Sequence, residues 1–131
     1  MSNEKPPRLD EQLVLEFVKV AHGSLERVQE LLTQEPALVN ACWNWGGDDW
    51  ETALGAAAHT GQKEIAKYLL AHGARMDLFC AAMLGKIEIV KAFIADDTAV
   101  VHVKGPHGIP LINHAQAGGQ DEVAALIAAH I

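Results

Sequence analysis

Four glycines, each ending one short apolar stretch of helical period and opening another, constrain this chain more than any other feature. They stand in Val20-Ala21-His22-Gly23, Ala58-His59-Thr60-Gly61, Ala82-Met83-Leu84-Gly85 and Ala115-Gln116-Ala117-Gly118. The fifth residue after each glycine is small or apolar (Val28, Ala66, Val90, Val123). The eighth and ninth form an apolar pair: Leu31-Leu32, Leu69-Leu70, Phe93-Ile94, Leu126-Ile127. That spacing is one face of a 3.6-residue period, written four times. A helix pair of this size cannot bury its apolar faces alone, so the expected architecture is a stack of four such units.

The same pattern predicts helices over residues 10–21 and 24–33, 52–60 and 62–71, 77–84 and 86–95, and 110–117 and 120–130. Thr52 suits an N-cap, where its hydroxyl satisfies an orphan amide, and Pro110 suits the first helical turn, where a missing N–H loses nothing. Ala57-Ala58 and Ala81-Ala82 are small enough for neighbouring helices to approach closely, and Gly73 reads as the residue closing the fourth helix.

The segments Thr52-Ala53-Leu54-Gly55-Ala56-Ala57-Ala58 and Ile109-Pro110-Leu111-Ile112-Asn113-His114-Ala115 resemble the ankyrin repeat, whose signature reads Thr-Pro-Leu-His-x-Ala. The resemblance covers roughly residues 10–131 and implies an all-α solenoid of four helix-turn-helix units with β-hairpin fingers between them. It leaves 1–8 as a disordered tail and 9–131 as a single domain. It also implies that fingers and first helices form a concave surface for a protein or peptide partner. The signature histidine is absent, because its slot holds Phe17, Gly55, Phe79 and Ile112.

The glycines are 38, 24 and 33 residues apart (23 to 61, 61 to 85, 85 to 118), against a family period of 33. The first finger, about residues 40–51, is therefore enlarged, the third, about 100–108, is ordinary, and the middle one is missing. Gly73-Ala74-Arg75-Met76-Asp77 is too short for two strands and a turn. The gap predicts a notch floored by the first helix of the third unit. Two hairpin fingers remain.

The enlarged finger, Cys42-Trp43-Asn44-Trp45-Gly46-Gly47-Asp48-Asp49-Trp50, holds all three tryptophans beside two carboxylates. Indoles supply much binding area at small entropic cost, which favours recognition. Packing against the neighbouring finger is the competing reading for them, and plain turn chemistry is the competing reading for Asp48 and Asp49. The resemblance implies that positions just before each turn glycine face the concave side, which adds His22, His59, Thr60, Met83 and Gln116, and the third finger adds Lys104, His107 and Gly108. His114 occupies a small-residue slot, either as a satisfied core histidine or as a ligand. The expected binding set is Trp43, Trp45, Asp48, Asp49, Trp50, His59, Met83, His107 and His114. The alternative function is a small-molecule pocket or acid–base enzyme in the notch, with an indole-walled Asp48 or Asp49 facing His107 or His59.

Other chemistries lack their motifs. The serines are Ser2 and Ser24, with no Gly-x-Ser-x-Gly elbow, and no glycine-rich segment ends in the Lys-Ser/Thr of a phosphate loop. Cys42 and Cys80 lie in different units, and His102, His107 and His114 match no ligand spacing, so neither metal nor cofactor is expected. Ten basic against seventeen acidic side chains give a net charge of −7, which disfavours nucleic acid and anionic membranes. A polar N-terminus without an apolar signal segment, no run of 18 apolar residues and only two cysteines predict a cytoplasmic protein. The last helix, without Lys or Arg and apolar on more than one side, predicts a contact with a second copy, as a homodimer, or with a different protein.

Overall fold

The computed structural model describes residues 4–131, and eight α-helices follow one another there in four pairs. They are α1 (Glu11–Val20) with α2 (Leu25–Gln34), α3 (Ala53–His59) with α4 (Lys63–Ala71), α5 (Leu78–Met83) with α6 (Ile87–Asp96), and α7 (Leu111–Ala117) with α8 (Asp121–Ala128). The expected disorder of the first three residues lies outside the described residues. Residues 4–10 carry no regular structure and are largely exposed.

Four of these helices, α1, α2, α3 and α5, start where a side chain satisfies an orphan amide. Asp10 accepts from Gln12 N at 3.1 Å, Ser24 from Arg27 N at 3.3 Å, Thr52 from Gly55 N at 3.0 Å and Asp77 from Cys80 N at 2.8 Å. Pro110 departs from expectation. It stands outside the helix in extended conformation, φ −61° and ψ 154°, because it also pairs with Lys104 across the preceding loop.

The first helices α1, α3, α5 and α7 neighbour one another in a row, while α2 packs on α4 and α6 on α8. α3 is buried along Ala53, Leu54, Gly55, Ala56, Ala57 and Ala58, so its alanines are what lets helices flank it on both sides. The close approach is enforced at the turns. A Cβ on Gly118 would stand 1.9 Å from the Met83 carbonyl oxygen, and one on Gly61, at φ +68°, 2.3 Å from that of Ala117. In the fourth unit Gly119, at φ +68°, takes the left-handed turn that Gly61 and Gly85 take in theirs. The last unit is thus displaced by one residue from an alignment on Gly118, and His114 aligns with Ala56 and Cys80 rather than with Ala57 and Ala81.

Two apolar clusters hold the stack. Phe17, Leu31, Leu54 and Leu69 belong to the first, in the first two units, and Cys80 and Met83 extend it into the third. Val90, Leu111, Val123 and Ile127 belong to the second. Each such side chain contributes about 1.5–3 kcal/mol by leaving water. Cys42 is exposed, Cys80 is buried, and both are free thiols.

The first finger is an antiparallel hairpin of β1 (Cys42–Asn44) and β2 (Trp50–Thr52), with Trp43 opposite Glu51. No strand joins α4 to α5, so the middle finger is missing as its length predicts. In its place the Asn40 side chain donates to Gly73 O at 3.1 Å and accepts from Arg75 N at 3.0 Å, fixing the short connection. The later finger is a loop closed by the single bridge Lys104–Pro110, with a 3-10 turn at Pro106–Gly108. Two further 3-10 turns, Pro36–Asn40 and Thr98–His102, follow α2 and α6 and have no counterpart in the sequence reading. Among the described residues no helix is long and apolar enough to cross a membrane.

Candidate functional site

β2 runs directly into the N-cap of α3, and strand alternation then decides which side chains face the stack. Trp50 points outward and is 57% exposed, while the next residue, Glu51, is 1% exposed. A carboxylate so buried requires donors. Four surround it. Trp45 Nε1–H donates to Oε1 at 2.9 Å and His22 Nε2 lies 3.2 Å from the same oxygen, while His59 Nε2 and His107 Nε2 lie 2.9 and 3.4 Å from Oε2.

These donors come from separate parts of the fold: the turn after α1, the hairpin tip, the end of α3 and the 3-10 turn before α7. The ring centroids of His22 and His59 are 5.1 Å apart, those of His59 and His107 5.2 Å, and those of His22 and His107 6.3 Å. His22 Nδ1 is 3.0 Å from the carbonyls of both Val18 and Lys19. Carbonyls only accept, so that nitrogen carries a proton and Nε2 is the atom turned to Glu51.

His107 is placed by a two-point clamp. Its backbone N–H donates to Asp49 Oδ1 at 2.8 Å and its Nδ1 lies 2.7 Å from Asp49 Oδ2. The residue sits at φ +62°, a region that non-glycine residues enter at a cost of about 1 kcal/mol or more, and the clamp offsets that strain. With no middle finger in the way, the later loop folds back onto the first finger.

Electrostatics follow the contacts. Burial pushes the Glu51 carboxyl up, but hydrogen bonds from His22 and His59, the His22 charge and the Trp45 N–H together hold it down at about 2. His22 is raised, foremost by its bond to Glu51, against the opposing effect of burial. Asp49 is lowered, foremost by the His107 backbone N–H.

Beside this polar centre lies an open cavity of about 780 Å³, bounded by Asp48, Asp49 and Trp50 of the hairpin and by Lys104 to Gly108 of the loop, with Phe79 of α5 among its walls. It occupies the place of the missing finger. Of the three indoles only Trp50 lines it. Trp45 turns to Glu51, and Trp43 packs against the first apolar cluster and borders a separate groove of about 440 Å³ with Leu9 and Val14. Two of the expected binding residues offer no surface. Met83 is fully buried because its side chain joins the first apolar cluster, and His114 is fully buried between Phe79 and Gly105. Trp45, Asp49, His59 and His107 come together, and Asp48 and Trp50 flank them.

Glu51 is the residue the sequence reading leaves out, and His22 appears there only as a concave-face position. The available signal was an acidic residue directly before a helix-capping threonine, where alternation after an outward Trp50 turns it inward. Spacing along the chain likewise gives no sign of a further grouping of possible ligand atoms. One ligand atom each from His22, Glu51, His59 and His107 lie within 4.8 Å of one another.

A family model described as ankyrin repeats, in three copies, matches residues 17–105, from late α1 to the loop after α6. No curated protein matches the chain.

Proposed function

Since the chain belongs to the ankyrin-repeat family, whose repeats are in general protein–protein interaction modules, we propose that it holds a protein or peptide partner in the cleft between its hairpin and the 104–108 loop. The observation that carries this reading is Trp50. It is the most exposed of the tryptophans and borders a cavity that Phe79 also lines. A large aromatic left in water beside an open cleft is the kind of group that dominates binding energy once covered. Asp48 and Asp49 on one side and Lys104 on the other suit an extended segment that presents an apolar side chain to Trp50 and a basic group to Asp48.

The acid–base alternative has less support. Both ring nitrogens of His107 face carboxylates, Nδ1 that of Asp49 at 2.7 Å and Nε2 that of Glu51 at 3.4 Å, so neither is left to serve a substrate in the cleft.

A displayed peptide library selected on the wild-type chain tests the reading. Selected peptides should lose about 10-fold or more in affinity, roughly 1.4 kcal/mol, on the Trp50→Ala variant, with its unfolding midpoint unchanged. Peptides that bind that variant and Asp48→Asn as well as the wild type would remove the cleft from the proposal.

A further inference from the structure

We propose that His22, Glu51, His59 and His107 form a site for a divalent first-row transition ion, with zinc the best chemical fit. The donor set excludes the hard alkaline-earth ions, which take all-oxygen shells, because three of the four ligands are imidazoles. In a tetrahedral zinc shell, with bonds near 2.0–2.1 Å, neighbouring ligand atoms stand about 3.4 Å apart. Glu51 Oε2 already lies 2.9 and 3.4 Å from Nε2 of His59 and His107, and the other carboxylate oxygen, Oε1, lies 3.2 Å from Nε2 of His22.

Orientation supports the same reading. A metal-bound histidine normally donates its other N–H to a carbonyl or carboxylate, which fixes the tautomer and aims the lone pair. His22 Nδ1 does this to Val18 and Lys19, and His107 Nδ1 does it to Asp49. In their neutral forms both rings direct a bare Nε2 at a carboxylate, an arrangement of facing lone pairs that only a cation relieves. A proton on each ring is one such cation, and a metal ion shared among them is the other. Binding the ion releases those protons to solvent and leaves the Nδ1 hydrogen bonds in place. Trp45 continues to hold one Glu51 oxygen. Access exists, since the side chains of His22 and His107 are 28% and 33% exposed around a fully buried Glu51.

The ion would join the first and second helix pairs, the hairpin and the later loop at one point. None of its ligands shares a sequence motif with another, which is why spacing rules pass over it.

The test uses the full chain stripped with a chelator and then titrated with zinc chloride and cobalt chloride. Calorimetry should give one ion per chain with micromolar or tighter affinity, undiminished by excess magnesium. Cobalt should produce the intense visible bands of a four-coordinate site. Nitrogen-15 spectra of the wild-type rings should show Nε2 of His22, His59 and His107 shifting, while Nδ1 of His22 and His107 keep their protons. His59→Gln should weaken binding by about 100-fold, and Asp49→Asn, which acts only through His107, by about 10-fold. His130→Gln should change nothing. The proposal is overturned if no ion binds stoichiometrically, if the bound nitrogens are Nδ1, or if the His22→Gln/His59→Gln pair binds as the wild type does. The nitrogen spectra decide the matter on wild-type protein even if a variant does not fold.

Discussion

Glu51 and His114 are the buried polar side chains among the described residues, and the two halves of the stack treat them in opposite ways. Glu51 is met by four N–H-bearing groups gathered from four places in the chain. His114 leans only on the backbone of its own helix start, its Nδ1 lying 3.0 Å from the carbonyl of Pro110 one turn back. Its ring lies against Phe79 at 4.7 Å, and its Nε2 has no partner. Burial, foremost, keeps His114 below the ordinary imidazole pKa. The N-terminal half is therefore organised around a satisfied charge, and the C-terminal half around an apolar cluster that tolerates one idle ring nitrogen. Removing the first polar group strands its neighbours; removing the second strands none.

Glu51→Ala is expected to show the largest effect. It leaves His22 and its neighbours uncompensated inside the stack and should cost about 3–5 kcal/mol in urea unfolding, measured with a chelator present. A loss under about 1 kcal/mol would mean that the network stabilises little, and the contrast would fail. Trp45→Phe keeps the aromatic surface but deletes one donor to a charged acceptor. The expected loss is about 1.5 kcal/mol by the same measurement.

His114→Leu should carry the opposite sign, neutral to about 1 kcal/mol more stable, because it replaces an unpartnered buried nitrogen with carbon. A loss above about 2 kcal/mol would reveal a partner for that nitrogen. The last expected effect is on pH dependence. The folded pKa of His114 lies below the unfolded 6.5, so on acidification the unfolded chain takes up a proton first. Stability should then fall as pH drops below about 6.5 toward the folded value, by at most about 1.4 kcal/mol per pH unit. Subtracting the His114→Leu profile from the wild-type one isolates this slope, and identical profiles would show that the group does not titrate differently on folding.

The helix pairs were legible because period, caps and turn glycines are local signals. Thr52 and Asp77 cap where they stand, and the shortened glycine spacing after Gly61 announced the absent finger. Unit four was misread by one residue because Gly118-Gly119 offers two glycines for one turn. Only the positive φ of Gly119 and the contact of Gly118 with the Met83 carbonyl separate their roles. The tryptophan cluster was legible as a feature and not as a site. Three indoles within eight residues go to a core, a carboxylate and a cleft, depending on where each falls in the hairpin.

The order of elements, the uneven fingers and the all-helical stack are determined by the sequence itself, since they rest on energies acting between residues a few positions apart. The convergence of His22, His59 and His107 on Glu51 was decided only when the units packed. Its partners meet because α3 sits close beside its neighbours and because an absent finger lets Asp49 hold the later loop, and neither long-range contact leaves a periodic trace in the chain.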